Sequence, residues 1–328
     1  MSQQGYIQLT RDCNQNCRFC SNPANEKRID MDRAVELIDS FIEQGYTGII
    51  FTGGEPTLCP FLPELVSYAS RRGIPNRIIT NGQKICDCDY FETLYEAGLR
   101  NVNLSLYSVR DDVQSFLSGN PDSLKNITGA LQTLGKFNDV QTVINTVINK
   151  YNSDHLSENV QWVIRNAPFV PHFVWNNLDP RNSKCKENPD TIPRLNDFQL
   201  ELHKAVEVVL KSGRMCRIER VPLCYMAGFE HLSTETRKIV KKEKTTTYFL
   251  DEKELFSQDS YQYGKAACCN ACFLDQICAG LFEIDVFYSS EELYACFRDS
   301  GEIIDRILND ASGQDQNSVH HSGKARRK

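Results

Sequence analysis

Short apolar or alternating runs recur along the first two thirds of the chain, each followed by an amphipathic stretch, and this alternation constrains the fold more than any other feature. The runs at Tyr6–Leu9, Gly48–Phe51, Arg77–Thr80, Val102–Leu106, Gln141–Ile148 and Phe173–Asn176 read as strands. The stretches Asp32–Gln44, Phe61–Arg72, Asp89–Ala97, Ser123–Phe137, Ser157–Asn166 and Asp197–Ser212 read as helices. In the first of these, Ala34, Leu37, Ile38, Phe41 and Ile42 recur at three- and four-residue intervals and make one apolar stripe. Asp30 or Asp32 is placed to cap its start, and Gly45, Gly73 and Gly98 follow the first three helices, where a left-handed residue commonly ends the turn. Six consecutive βα units fit an incomplete barrel or an open doubly wound sheet. In both, chemistry collects at the carboxyl ends of the strands.

Two motifs fall on that rim. After the first strand, RDCNQNCRFCSNP places Cys13, Cys17 and Cys20 at C-x3-C-x2-C spacing. Thiolates so spaced suit an iron–sulfur cluster, and three of them leave a fourth metal position for a substrate or cofactor. After the second strand, GIIFTGGEPTL carries Gly53, Gly54 and Glu55, where two glycines allow close backbone approach and Glu55 presents a carboxylate. Taken alone, this is also an ordinary chain-reversing turn.

With 14 cysteines in 328 residues the chain needs a metal or redox explanation. No basic-then-apolar signal segment and no run long enough to span a bilayer is present, so a cytoplasmic location and no membrane partner are expected. In a reducing compartment clustered thiols more often bind metal than pair as disulfides. Cys59, Cys86, Cys88 and Cys185 read as bystanders. A net charge of −6 argues against nucleic acid as a partner.

The pair CNQNCRFC and TGGEP resembles the radical S-adenosylmethionine (SAM) superfamily over roughly residues 5–213. The resemblance implies a partial (β/α)6 TIM-type barrel. It also implies that Cys13, Cys17 and Cys20 ligate three irons of a [4Fe–4S] cluster whose fourth iron is chelated by SAM. One electron from the reduced cluster would cleave SAM to a 5′-deoxyadenosyl radical that abstracts hydrogen from substrate. By the same resemblance Phe19 lies against the adenine, and Gly53, Gly54 and Glu55 hold the SAM ammonium group. Ser105 and Asn145 are placed like residues that bind the ribose and the methionine carboxylate. Thr80–Asn81–Gly82 reads as a turn, while Asn176 and Asn177 face the presumed substrate side. The six histidines show no metal-like spacing.

The second cysteine group lies in KAACCNACFLDQICAG, where Cys269, Cys272 and Cys278 show C-x2-C-x5-C and Cys224 is placed to close the set. Zinc suits four thiolates from two segments equally well. Following a radical SAM barrel, the spacing resembles SPASM or Twitch extensions and so implies a second, auxiliary [4Fe–4S] cluster. Phe282 stands where the full SPASM pattern has a further cysteine, which favours one auxiliary cluster. Cys216 is an alternative to Cys224, Cys268 to Cys269, and Cys296 is an outlying candidate.

The expected organisation is a barrel over 1–213, an auxiliary iron–sulfur domain over 214–298, a C-terminal helix over 299–310 and a disordered tail over 311–328. The expected activity is radical modification of a peptide after translation, with a small-molecule biosynthetic intermediate as the alternative substrate. A non-catalytic zinc-binding interaction module is the rival of another class. Flavodoxin or ferredoxin is the expected electron donor, and the basic run Arg237 to Lys244 reads as a solvated face or a recruiting surface. Because the barrel starts within ten residues of Met1, a leader-peptide-binding function is expected from a separate partner.

Overall fold

A computed structural model describes residues 3–22, 25–181, 183–250, 254–258 and 260–310. All six expected strands are found: β1 (Gln4–Thr10), β2 (Gly48–Gly53), β3 (Asn76–Thr80), β4 (Asn101–Ser105), β5 (Gln141–Ile148) and β6 (His172–Asn177). Each pairs in parallel with the next. Helices α1 (Met31–Glu43), α2 (Leu62–Arg71) and α3 (Cys88–Glu96) connect the first four strands. Two helices rather than one, α4 (Asp111–Ser118) and α5 (Ser123–Leu134), lie between β4 and β5. They are followed by α6 (Leu156–Asn166), the short α7 (Ser183–Glu187) and α8 (Leu195–Lys211). Asp30, not Asp32, caps α1 by accepting the Arg33 N–H at 2.7 Å.

The sheet does not stop where the repeating sequence pattern does. Met215–Glu219 forms β7, parallel to β6, so the expected boundary at 213 falls inside the sheet. On the other side, β8 (Thr245–Tyr248) runs parallel to β1, and β9 (Leu255–Gln258) pairs antiparallel to β8 at the edge. These strands lack an apolar run because β7 turns Arg217 and Glu219 away from the core and β8 is mostly threonine. The expected C-terminal helix is α10 (Ser300–Leu308). The expected disordered tail lies outside the described residues.

Alternation along the strands sorts the two faces. Ile7, Leu9, Phe51, Ile78, Leu104, Ile144, Trp175 and Ile218 are buried in one core with Leu37, Ile38 and Phe41 of α1. The intervening residues face the other side, and they show that the sheet is curled. Tyr6 on β1 lies within electrostatic reach of Glu219 on β7. In a flat sheet six spacings of about 4.8 Å would separate these strands.

Helix α9 (Thr234–Lys241) lies along β7, where Ser233 bridges to Ile218. It carries most of the basic run, which is not simply a solvated face. Arg237 is buried and ion-paired to Asp310 at 2.9 Å, and the Lys238 ammonium sits 4.9 Å from the Tyr261 ring centre.

At the start of β6, burial, reinforced by Arg217 and then Arg77, pushes His172 down from 6.5 to about 3. The unfolded chain therefore takes up a proton below pH 6.5 that the folded chain refuses, and stability falls as pH drops through that window. The His172 contribution is about 1.4 kcal/mol per pH unit. Urea unfolding at about pH 7 and about pH 5 should show a smaller acid loss in His172→Gln than in the parent.

Candidate active site

The loop leaving β1 carries Cys13, Cys17 and Cys20, with Cys17 buried, Cys20 half-buried and Cys13 exposed. Cys13 is exposed as a residue, but the packing of the loop around its sulfur desolvates the thiol and pushes it up to about 11; burial pushes the Cys17 thiol up to about 12, and the Cys20 and then Cys13 thiols raise it further. All three therefore share one neighbourhood. Protonated thiols of this kind become ligands when a metal displaces the proton. A donor set made only of thiols fits an iron–sulfur cluster.

What holds this loop is the turn after β2. The Gly54 N–H donates to Thr10 O at 2.6 Å and the Glu55 N–H to Asp12 O at 2.7 Å. A Cβ on Gly53 would stand 2.3 Å from Thr10 O, and one on Gly54 2.1 Å from Asp12 O. Gly53 also has φ of +141°, a left-handed value that favours glycine. The two glycines are thus required by backbone-to-backbone contact with the cysteine loop, beyond any chain reversal.

Glu55 departs from expectation. Its side chain is 1% exposed, so it does not present a carboxylate at the rim. Oε1 accepts from Thr57 N–H (3.1 Å), Thr57 Oγ1 (2.7 Å) and Thr80 Oγ1 (2.7 Å), and Oε2 accepts from Asn81 N–H at 2.7 Å. Burial raises its pKa, while these donors pull it back. Thr80 and Asn81, which the sequence reads as a turn, therefore fasten β3 to the Glu55 carboxylate, making it a brace between the ends of β2 and β3. Asn81 Nδ2 also donates to Asn14 Oδ1 at 2.7 Å and toward Cys13 Sγ at 3.6 Å.

Phe19 is buried edge-on to Tyr107, with ring centres 4.9 Å apart. Tyr107 was not anticipated, since it follows β4 and reaches the cysteine loop only in three dimensions. Ser105 and Asn145 are register partners on β4 and β5, and Asn145 Oδ1 accepts from Asn176 Nδ2 at 2.6 Å. Asn176 and Asn177 do not share a face. Asn177 instead accepts from the Tyr288 hydroxyl at 3.2 Å and donates to Arg220 O at 3.3 Å. The chain Ser108–His155–Asp154 has the order of a nucleophile triad, yet Ser108 is fully buried and ties the loop after β4 in place.

In the C-terminal part, Cys224, Cys269, Cys272 and Cys278 line one cavity with Lys265 and Tyr294. Burial pushes Cys224 up to about 12, with Cys278, Cys296 and Cys269 adding to the shift. Cys296 joins them, because its N–H donates to Cys272 Sγ at 3.3 Å and its carbonyl accepts from Phe273 N–H at 2.8 Å. Cys216 instead packs in the core on β7, and Cys268 stays half-buried beside Cys269. Among the described residues, no three His, Cys, Asp or Glu side chains converge closely enough to hold a single metal ion.

Residues 7–163 match the Radical SAM superfamily. PqqA peptide cyclase of Xanthomonas oryzae pv. oryzae is 31% identical over 157 residues, covering 46% of this chain and 41% of that protein. GTP 3',8-cyclase of Chlorobaculum tepidum is 30% identical over 184 residues, covering 52% of this chain and 55% of that protein. The chain spans about half the length, or less, of the curated relatives it matches. Streptococcus suis SuiB bound to S-adenosylmethionine superposes with a TM-score of 0.63 at 17% identity, covering 90% of this chain and 77% of that chain. Among the described residues no helix is long and apolar enough to cross a membrane.

Proposed function

We propose, from the match of residues 7–163 to the Radical SAM superfamily, an enzyme that cleaves SAM reductively and takes hydrogen from a peptide substrate. The observation that carries this reading is the loop of Cys13, Cys17 and Cys20 at the carboxyl end of β1, clamped by backbone hydrogen bonds to the Gly53–Gly54–Glu55 turn of β2. When bound, the [4Fe–4S] cluster and SAM supply the one-electron cleavage that yields the 5′-deoxyadenosyl radical. The protein's part is to hold and orient. Cys13, Cys17 and Cys20 serve as ligands, the backbone of Gly53 and Gly54 meets the SAM ammonium group, and Ser105 and Asn145 offer hydrogen bonds along the rim. Phe19, packed with Tyr107 and Leu117, provides an apolar wall that excludes water.

Similarity to PqqA peptide cyclase supports a peptide substrate, and SuiB, which shares the fold, is known bound to the precursor peptide SuiA. The similarity to GTP 3',8-cyclase favours a second reading in which the substrate is a small molecule. On either reading a flavodoxin or ferredoxin supplies the electron. Cys224, Cys269, Cys272 and Cys278 form the ligand set of an auxiliary [4Fe–4S] cluster, with Cys296 as a fifth thiol in reach.

Anaerobic reconstitution should give about eight iron and about eight sulfide per chain, and dithionite with SAM should release 5′-deoxyadenosine. Changing Cys269 and Cys272 together to alanine should lower iron to about four without removing SAM cleavage. A colourless parent protein holding zinc and no iron would sink the reading in favour of an interaction module.

A further inference from the structure

We propose that Tyr107 is a positioning residue whose hydroxyl donates a hydrogen bond to the sulfur of Cys17 and so sets the reduction potential of the cluster held there. The proposal rests on the radical SAM reading of this loop. The hydroxyl lies 3.8 Å from Cys17 Sγ, both groups being buried.

Its placement is determined by contacts that do not involve the ring. The Tyr107 N–H donates to Gln114 Oε1 at 2.9 Å, and its carbonyl accepts from Asn152 Nδ2 at 2.9 Å and Asn159 Nδ2 at 3.1 Å. Three side chains, from α4, the turn before α6 and α6 itself, thus fix one residue's backbone. The cysteine loop is tied to the same frame. Ser123 Oγ accepts from Gln15 Nε2 at 3.0 Å and from Gln114 Nε2 at 2.9 Å, so one hydroxyl registers the loop against the segment that carries Tyr107.

The chemistry follows from which partner carries a proton. As a thiol, Cys17 donates to Gln15 Oε1 at 3.6 Å. As a metal-bound thiolate it has no proton to give, and a carbonyl oxygen has nothing to offer it. Tyr107 does, since a phenol, whose ordinary pKa is about 10, keeps its proton on oxygen at neutral pH. Each of the three sulfurs then has a donor of its own: Asn81 Nδ2 at 3.6 Å for Cys13, Tyr107 for Cys17, and the Asn22 N–H at 3.4 Å for Cys20. A donor to a ligand sulfur stabilises the more negative, reduced cluster preferentially and raises its potential.

The test is an EPR-monitored redox titration of the reconstituted full chain beside Tyr107→Phe, with deuterium-exchange ENDOR on both. The expected result is unchanged iron content, a midpoint shifted to lower potential in Tyr107→Phe, and loss of one exchangeable proton coupling seen in the parent. An unchanged midpoint and coupling in Tyr107→Phe would overturn the proposal, as would a phenylalanine variant that no longer retains iron. Failure of the parent to take up iron would remove the functional reading itself, whereas a parent cluster indifferent to Tyr107→Phe removes this proposal alone.

Discussion

Replacing Cys13, Cys17 and Cys20 together by alanine should reduce 5′-deoxyadenosine formation from SAM to background and remove about four iron per chain, leaving about four at the second cysteine group. The loss is expected to be complete rather than graded, because no other described thiol is placed to substitute. Cys185 approaches this region but is fully buried. The fold should survive, since the loop is held by main-chain contacts that the substitutions leave in place: Gly54 to Thr10, Glu55 to Asp12, Asn16 to Ser118 and Arg18 to Leu117. An unaltered far-UV circular dichroism spectrum with no 5′-deoxyadenosine is therefore the expected combination. Undiminished 5′-deoxyadenosine from the triple variant would show that the electron enters SAM elsewhere.

Much of this site was legible in the sequence because it depends on local patterns. Period-two alternation marked β1 to β6, cysteine spacing marked the loop, and two adjacent glycines marked a close approach whose partner proved to be that loop. What the sequence hid depends on long-range closure. Tyr107 and Cys17 are 90 residues apart, and Asn81 and Cys13 are 68 apart. No local rule joins such pairs. Strand β7 was obscured because its alternate residues are charged and line the inside of the curl, while α9 reads as solvated from its charges although Arg237 pairs with Asp310 and Lys238 lies against Tyr261. Asn176 and Asn177 are a different case. Adjacent residues on one strand face opposite sides, so assigning both to the substrate side conflicted with a rule the sequence already supplied.

Glu55→Gln tests the structural reading of the GGEP turn most directly, and it should destabilise the metal-free protein by about 2–4 kcal/mol. Four donors converge on this carboxylate, three on Oε1 and one on Oε2. An amide has one acceptor atom and one donor atom. Its least costly orientation keeps the three bonds at the oxygen and turns the NH2 toward the Asn81 N–H, so two donors face each other in a buried site. Because Asn81 also reaches Asn14 and Cys13, the disturbance should pass to the cysteine loop. Faster amide hydrogen exchange at Thr10 to Asp12, read beside the urea unfolding curve, would follow. Metal-free protein is the right sample, since SAM contributes nothing to its stability. If Glu55 acted by its carboxylate on the SAM ammonium group, Glu55→Gln would weaken SAM binding while unfolding of the metal-free chain stayed as in the parent, and that outcome would sink the brace.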